Sequence, residues 1–294
     1  MSVSNLFSNH WRHRTLRVLM PKPSPFPLIR VGGDVDGAYL VPDCMDELTH
    51  CFSPGVSDRK TFEDNLSEQY QISCHLCDLS ASPDTMLTPI IPEFQTFDKL
   101  YLSPAPKNNC ITLRDFVRRY ALSHDRNLLL QMDIEGGEYD IILGAERALL
   151  RRFAVIVVEF HGLQRLLSMN SALNYISSSL LKLDADFVCV HSHANNCCGQ
   201  VLDVGTGLNL PGALEATFLR RDYFHGINKR ITNVLHWPTI PHPLDLVVNV
   251  PNLPPILLNH KWCSSGLGDL APQRLLIHER LYILFKNLVL KVRR

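Results

Sequence analysis

Short apolar runs alternate along this chain with segments of helical spacing. The runs at 128–132 and 154–158 are apolar almost throughout, whereas the segment 61–70 repeats an apolar residue at four-residue intervals. Strands that alternate with helices of this length predict crossover units, and therefore a mainly parallel sheet. Because the strand runs are continuous rather than alternating, we expect helices to cover the sheet on both faces.

The pattern predicts a full set of sheet strands with helices between them. Strands are predicted at residues 50–53, 72–76, 100–102, 128–132, 154–158, 187–190 and 214–219. Helices are predicted at residues 61–70, 111–122, 139–152 and 171–183. In open sheets of this kind, ligands bind beyond the carboxyl ends of the strands, so functional side chains are expected there.

The two ends of the chain do not follow this pattern. Prolines punctuate residues 226–270 without helical periodicity, which predicts an extended arm rather than a second domain, and residues 271–294 predict one basic amphipathic helix. Residues 1–27 form a basic segment without an acidic residue, which has the composition of a transit peptide. A basic helix followed by a proline-rich connector is the interpretation we prefer. The main domain is then residues 28–225.

Composition narrows the functional classes. The 294 residues are 46% hydrophobic and 20% charged, with a net charge of zero, so a folded core is expected and a general nucleic-acid binder is not. Nine cysteines without a secretory signal favour reduced thiols and a cytoplasmic protein, with organellar targeting left open. The C-terminal helix could contact an anionic membrane surface, but packing on its own domain or on a partner is favoured. The oligomeric state is not predicted.

The turn after the first strand contains one glycine, Gly55, and a helix follows it. Glycine lets the backbone approach a ligand, and the start of a helix offers free N–H groups. Asp78 ends the next strand, where an acid can hold two ribose hydroxyls. An ordinary turn between a strand and a helix explains the same pattern equally well.

Residues 128–138 read LLLQMDIEGGE. Glycine costs up to about 1 kcal/mol in a helix interior, so the glycine pair makes sense if something packs closely over this turn. Helix capping explains one acid, Asp133 or Glu135, but it explains three acids with two glycines poorly.

These residues carry a family resemblance. The segment 131–139, together with 143–145 and 157–161, resembles the FkbM-type methyltransferase family, whose pattern is close to K-x-D-x-E-G-x-E, then L-x-G-A, then a strand ending in an acid. Gln131 stands where that family usually has Lys.

An upstream segment, RVGGDVDGAYLVP at 30–42, resembles the element R-x-G-x-x-x-D-G-G-Y-x-x-P of a bacterial branch of this family, with Ala38 in place of a glycine. Residues 191–196 and 214–219 are also similar to that branch. The resemblance covers residues from about 28 to 225.

The resemblance implies an α/β fold: a Rossmann-like, seven-stranded class I methyltransferase sheet with helices on both faces, here with a C-terminal extension. It implies S-adenosylmethionine as cofactor and methylation of a hydroxyl on a small-molecule or saccharide acceptor. The cofactor-binding residues expected on this basis are Ser53, Gly55, Asp78, Asp133 and Glu135.

Polar residues follow several strands of the predicted sheet. In this fold the last strand runs antiparallel between its neighbours, which brings Glu215 to their edge. Side chains two apart on a strand share a face, so Glu159 with His161 and His191 with His193 can each present a pair to one rim, beside Asp133. Three uses stay open at this point: base catalysis, a metal site, and a purely structural network of hydrogen bonds.

The two chemical uses, base catalysis and metal binding, involve overlapping sets of candidate residues. A sugar hydroxyl must lose its proton as the methyl transfers, and His161, Asp133 and His193 are the candidates for that catalysis. A divalent metal that lowers the pKa of the hydroxyl is the alternative, with Asp133, Glu159 and His193 as candidate ligands. Oxygen and imidazole ligands suit magnesium, manganese or iron.

The cysteines give two weaker patterns. Cys74 and Cys77 have C-x-x-C spacing, but within a strand their side chains point to opposite faces, which argues against zinc. A four-ligand set of His191, His193, Cys197 and Cys198 is a minor alternative. The sequence thus predicts an O-methyltransferase, with an inactive binding module or another nucleotide-dependent transferase as the competing functions.

Overall fold

The structure is a computed structural model that describes residues 11–167, 170–225 and 235–263. The predicted basic helix at 271–294 lies outside the described residues, as do both ends of the predicted arm. Within the described ranges, no helix is long and apolar enough to cross a lipid bilayer.

Strands account for most of the regular structure. They are β1 Leu28–Val31, β2 Tyr39–Pro42, β3 His50–Pro54, β4 Ser73–Cys77, β5 Gln95–Asp98, β6 Tyr101–Leu102, β7 Cys110–Ile111, β8 Leu128–Met132, β9 Phe153–His161, β10 Phe187–Asp203 and β11 Leu208–Arg220. The α-helices between and after them are α1 Thr61–Tyr70, α2 Leu113–Tyr120, α3 Glu138–Gly144, α4 Arg147–Leu150, α5 Asn170–Asp184 and α6 Asp222–His225. Short 3-10 helices occur at Met45–Glu47, Pro83–Thr85, Leu163–Leu167 and His260–Trp262.

Seven of these strands form one sheet in the order β10-β11-β9-β8-β3-β4-β5. Pairing is parallel between neighbours in the part of the sheet with the order β9-β8-β3-β4-β5. By contrast, β11 runs antiparallel to both β9 and β10. This arrangement confirms the predicted fold class, including the antiparallel last strand placed between its neighbours.

Two apolar layers cover the sheet, because successive residues of a strand face opposite sides. On one side Leu128 and Leu130 pack in a cluster with Phe116 of α2. On the other side Leu129 packs in a cluster with Phe62 of α1. Burial on both faces is what the uninterrupted apolar strands predicted.

The third sheet strand was misplaced in the sequence analysis. It is β5, whereas the predicted segment 100–102 contributes β6, which pairs with β7 in a separate two-stranded sheet. β5 contains polar side chains that form hydrogen bonds. The Nε2 of Gln95 donates to Asp64 Oδ1 at 2.9 Å, and the Oγ1 of Thr96 lies 2.9 Å from His75 Nδ1. A search for apolar runs therefore missed this edge strand.

Two other elements differ in length from the prediction. The helix predicted at 139–152 divides into α3 and α4, because Ala145 and Glu146 are extended. Lys182 of α5 caps the break, since its ammonium group donates to the carbonyls of Leu143 and Ala145.

The hairpin of β10 and β11 is much longer than the runs 187–190 and 214–219 predicted. His191 and His193 therefore lie within β10 rather than beyond the end of a strand. The ladder with β11 holds them there, with His193 paired directly to Glu215.

The chain on either side of the sheet domain packs against it. Residues 11–16 are helical, and Leu16 and Leu19 are fully buried in the same cluster as α2. Residues 235–263 run over the hairpin with little regular structure and bury Ile256, Leu258 and Trp262.

Candidate functional site

Two adjoining cavities open at the carboxyl ends of the parallel strands. The larger has a volume of about 440 Å³, and the smaller about 250 Å³. They share four lining residues, Gly55, Ser57, Asp133 and Glu135. The larger is also lined by Cys77, Asp78, Ser80, Tyr101, Leu102 and Ile134. The smaller is also lined by Asp36, Gly37, Tyr39, Val56, Asp58, Arg59, Glu63, Gln131 and Glu159.

Gly55 is required by the packing of two turns against each other. Its φ is +87°, and a Cβ at this position would lie 1.6 Å from the carbonyl oxygen of Asp133. The amide of Asp133 donates to the Pro54 carbonyl at 3.3 Å, which ties the turn after β8 to the turn after β3. The glycine thus lets these two turns meet at the shared wall of the cavities.

Asp78 organises the floor of the larger cavity. Its Oδ2 accepts from the Ser57 amide at 3.0 Å, and its Oδ1 accepts from the amides of Ser80 and Ala81 and from the Ser80 hydroxyl. Because Oδ2 has a single protein donor, it can accept one further hydroxyl. The carboxylate therefore both fixes the turns and presents an acceptor to the cavity.

Ser53 contacts neither cavity. It is fully buried, and its hydroxyl donates to Glu63, which lines the smaller cavity. Burial raises the pKa of Glu63 to about 7. The effect of Ser53 on either cavity is therefore exerted through Glu63.

The turn after β8 has an unusual backbone. Glu135 has a φ of +56°, and Gly136 follows with a φ of +102°. Among the described residues, nothing lies within 4 Å of the position that a Cβ of Gly136 would take. The glycine is therefore required by its left-handed backbone rather than by close packing within the protein.

His161, at the end of β9, lies among four carboxylates. Its Nδ1 is 3.0 Å from Oε1 of Glu138. Its Nε2 lies 3.5 Å from Glu135 Oε2, 3.7 Å from Glu159 Oε1 and 3.9 Å from Asp133 Oδ1. Glu138 thus holds the Nδ1 of the imidazole, and the Nε2 is turned toward the shared wall of the cavities.

Glu138 is the residue that sequence reasoning left without a role. It is fully buried at the start of α3, and its Oε1 also accepts from the Gly136 amide at 2.8 Å. The spacing E-G-G-E was visible in the sequence, but burial of the second glutamate depends on how the turn brings α3 against β9. Glu138 fixes both the turn and the orientation of His161.

Burial makes this group of carboxylates hard to ionise together. Burial, and then the neighbouring carboxylates, raise the pKa of Glu159 well above its usual range. Burial also raises the pKa of Asp133 to about 7, although the charge of His161 opposes the shift. For His161, burial lowers the pKa, but the hydrogen bond and charge of Glu138 outweigh it, and the net pKa is raised. The site therefore favours a positively charged partner.

Gln131 presents an acceptor in the smaller cavity. Its amide nitrogen donates to the Tyr39 hydroxyl at 3.1 Å, while its Oε1 has no hydrogen-bond partner among the described residues. Asp36, from the segment between β1 and β2, accepts from Asn195 and Asn249 and forms another part of the wall.

His193 belongs to a second cluster on the same face of the sheet. Glu159, Glu215 and His193 pair in one row across β9, β11 and β10. The Nε2 of His193 lies 2.8 Å from Asn249 Oδ1, and its Nδ1 faces Asp245 at 3.7 Å. Both ring nitrogens of this predicted catalytic and metal-binding residue thus face the segment 235–263.

One group of side chains among the described residues has the spacing of metal ligands. Asp133, Glu135 and His161 each offer an atom within 4.8 Å of the others. This group shares Asp133 with the set predicted from the sequence, and the predicted ligand Glu159 lies beside it. The minor zinc alternative at Cys197 and Cys198 is not among the groups with this spacing in the described chain.

The C-x-x-C pair behaves as its strand position predicted. Cys74 packs in the cluster on one face of the sheet, and Cys77 in the cluster on the other. The two thiols therefore cannot share a metal ion.

A family model matches part of the chain. Residues 85–177 match the family model described as the Methyltransferase FkbM domain, a range that contains the turn after β8 as well as Glu159 and His161. A search of curated proteins found no match. The matched segment and the seven-stranded sheet agree with the resemblance stated above. Part of the chain, residues 85–177, is thus similar to the FkbM methyltransferase domain, and the seven-stranded sheet that contains this part has the class I methyltransferase arrangement.

Proposed function

We propose that this protein transfers a methyl group from S-adenosylmethionine to a hydroxyl of a sugar or natural-product acceptor. The observation that carries the proposal is the pair of cavities that share a wall at the carboxyl ends of the strands. The larger cavity has the volume of a typical small-molecule site.

The larger cavity suits the cofactor. Asp78 Oδ2 can accept a ribose hydroxyl, and Tyr101, Leu102 and Ile134 offer apolar surface for the adenine. The shared wall at Gly55 and Asp133 then borders the methionine end. This assignment directs the reactive methyl toward the smaller cavity.

The smaller cavity suits a polyhydroxylated acceptor. Its wall carries hydrogen-bonding groups from several elements, including Asp36, Arg59, Gln131 and Glu159. Hydroxyl groups of a sugar both donate and accept, so they can satisfy such acidic and amide side chains together.

The chemistry is an in-line displacement at the methyl carbon. The new C–O bond forms as the C–S bond breaks, its electron pair stays on sulfur, and the sulfonium becomes neutral S-adenosylhomocysteine. The proton of the acceptor hydroxyl leaves to Nε2 of His161 in one route; in the other, a divalent ion held by carboxylates of this site would lower the pKa of that hydroxyl. Positioning of the two substrates supplies the main part of the rate enhancement.

The metal set predicted from the sequence, Asp133, Glu159 and His193, belongs to the second of these routes. It remains a proposal, as does His193 as a base. The geometry supports Asp133 and Glu159 more directly, since both lie beside Nε2 of His161.

Calorimetry and product analysis test the function. The full-length chain should bind S-adenosylmethionine and S-adenosylhomocysteine at one site. With methyl-labelled cofactor it should label a member of a panel of sugars and hydroxylated natural products. Binding without transfer to any acceptor would favour the inactive binding module, and a folded chain that binds a nucleotide sugar instead would favour another transferase.

A further inference from the structure

We propose that Asp133, Glu135 and His161, with Glu159 beside them, bind one divalent cation of the magnesium or manganese class at the wall between the two cavities. Binding of the ion stands on the geometry of these side chains and on the unpaired acceptors near them. Its role, to hold the acceptor oxygen next to the methyl group, rests on the proposed function above.

The distances around His161 lie between those of adjacent and those of opposite ligands of one ion. Three carboxylate oxygens lie 3.5–3.9 Å from its Nε2, which is too long for hydrogen bonds. Ligands at about 2.0–2.2 Å from an octahedral ion are separated by roughly 3 Å when adjacent and about 4 Å when opposite. Asp133, Glu135 and His161 each offer an atom within 4.8 Å of the others, so an ion could draw these three together, and Glu159 Oε1 lies beside them, 3.7 Å from Nε2 of His161.

Glu138 orients His161 for such a role. Because the Nδ1–H donates to Oε1 of Glu138 at 3.0 Å, the lone pair of Nε2 faces the three carboxylates. Histidines that bind metals commonly donate their second nitrogen to a carboxylate in this way, which fixes the tautomer and the ring direction. Tyr139 adds a second restraint, since its hydroxyl donates to the His161 carbonyl at 3.1 Å.

Gln131 provides an independent sign of a ligand in the same cavity. Its side chain is 96% buried and lines the smaller cavity, yet its Oε1 has no partner among the described residues. Oδ1 of Asp133 is buried without a hydrogen-bond partner in the same way. Both atoms are acceptors, and a cation together with the water bound to it would satisfy them.

The donor set indicates the class of metal. Carboxylates and one imidazole, without a thiolate, suit magnesium, manganese or ferrous iron better than zinc in a cysteine site. Glu135 is exposed and has a left-handed backbone, so its carboxylate reaches the ion from the solvent side. That side leaves room for water or an acceptor hydroxyl to complete the coordination.

Manganese titration of the full-length chain, without cofactor or acceptor, tests the site. We expect one saturable Mn²⁺ site by electron paramagnetic resonance, with competition from Mg²⁺. Glu135→Gln, an isosteric change at an exposed residue, should weaken Mn²⁺ affinity at least tenfold, as should His161→Ala. Asp58→Asn removes a charge from the wall of the same cavity without touching the ligand group, so its Mn²⁺ affinity should equal that of the wild type.

The outcomes separate this inference from the proposed function. No saturable Mn²⁺ binding, or equal weakening by Asp58→Asn and Glu135→Gln, would overturn the metal site. If such a protein still binds S-adenosylmethionine and transfers methyl groups in EDTA, the proposed function stands with His161 as the base. A chain that binds Mn²⁺ but not S-adenosylmethionine would keep the metal site and overturn the proposed function.

Discussion

Asp78 illustrates how one side chain can serve both the fold and a ligand. Its carboxylate accepts three backbone amides and one hydroxyl, and it also lines the larger cavity. The sequence alone suggested a ribose contact and no structural role. With the hydrogen bonds known, removal of this carboxylate should affect the cofactor and the stability together.

We expect Asp78→Ala to weaken S-adenosylmethionine binding at least tenfold and to lower the free energy of unfolding. The amides of Ser57, Ser80 and Ala81 would lose their acceptor, and at the buried Ala81 such an unpaired group costs about 1–3 kcal/mol. Calorimetry and urea denaturation measure the two effects. Asp84→Ala, an exposed acid on the next 3-10 helix, is the control and should change neither. Unchanged cofactor affinity in Asp78→Ala would remove this residue from the cofactor site.

Glu138 acts on the chemistry through His161. We expect Glu138→Ala to reduce kcat roughly 10–100-fold, since loss of a carboxylate behind a histidine commonly has effects of this size. Glu138→Gln retains an acceptor for the Nδ1–H and for the Gly136 amide, so it should recover part of the rate. Cofactor affinity should stay at the wild-type value in Glu138→Gln, which keeps the acceptor that fixes the turn after β8.

Steady-state kinetics across a range of pH measures this prediction. A purely structural role for Glu138 would lower the amount of folded enzyme but leave the pH profile of the remaining activity unchanged. A positioning role changes the profile, because the charge of Glu138 raises the pKa of His161.

At the scale of elements, polar edge segments were the hardest to predict. β5 contains Gln95 and Thr96, which bond to other side chains rather than fill a core. The sequence predicted a strand of the main sheet at 100–102 instead. That segment forms β6, which supplies Tyr101 and Leu102 to the wall of the larger cavity. Both elements have meaning only through the neighbours that the tertiary structure gives them.

The segment 235–263 is held by one large anchor. Trp262 is fully buried, and its indole N–H donates to the carbonyl of Asn209 in β11 at 3.0 Å. We expect Trp262→Ala to lower the free energy of unfolding by about 3–5 kcal/mol, since it removes a large buried side chain. Trp237, in the same segment, is 56% exposed, so Trp237→Ala should cost far less.

Urea denaturation of the two tryptophan variants, followed by circular dichroism, measures the difference. Equal stability of the two variants would show that the segment does not anchor through Trp262.

At the scale of the whole molecule, the segment 235–263 packs over the sheet beside the smaller cavity. Asp245 lies 3.0 Å from His191 and 3.7 Å from His193. Burial would raise the pKa of Asp245, but the two histidines hold it well below its usual range. Burial likewise opposes protonation of His193, but Asp245 and Glu215 raise its pKa to about 9.

These shifts predict how stability depends on pH. His193 binds its proton more tightly in the folded chain, so its contribution is full below its unfolded pKa of about 6.5 and disappears as the pH rises through about 9. The contribution of Asp245 is full above its unfolded pKa of about 4 and is lost as the pH falls below it. The attachment of the segment 235–263 to β10 through Asp245 and His193 is therefore strongest between about pH 4 and 6.5.

We expect Asp245→Asn to melt at a lower temperature than the wild type at pH 6, with the difference becoming smaller toward pH 9. Thermal melts over this range measure the effect, and Asp43→Asn, at an exposed acid, is the control. A constant difference between Asp245→Asn and the wild type across this range would contradict the assigned role of His193.

Much of the architecture could be read from the order of residues. Apolar runs such as 128–132 and 154–158 fill strands that are buried on both faces, and this pattern depends only on local periodicity and burial. The acids after β8 and β9 could be expected at one edge, because parallel strands end on the same side of a sheet. The family resemblance at 131–139 rests on the same local residues.

The tertiary structure decided how those residues meet. Burial of Glu138 behind His161, the contact of Gly55 with the Asp133 carbonyl, and the attachment of His193 to Asp245 and Asn249 join positions far apart in the chain. Local periodicity states which face a side chain takes, but not which distant segment will cover it. The packing of the whole chain decides which segment that is. It turns His161 toward the cavities, whereas it makes His193 hold the segment 235–263.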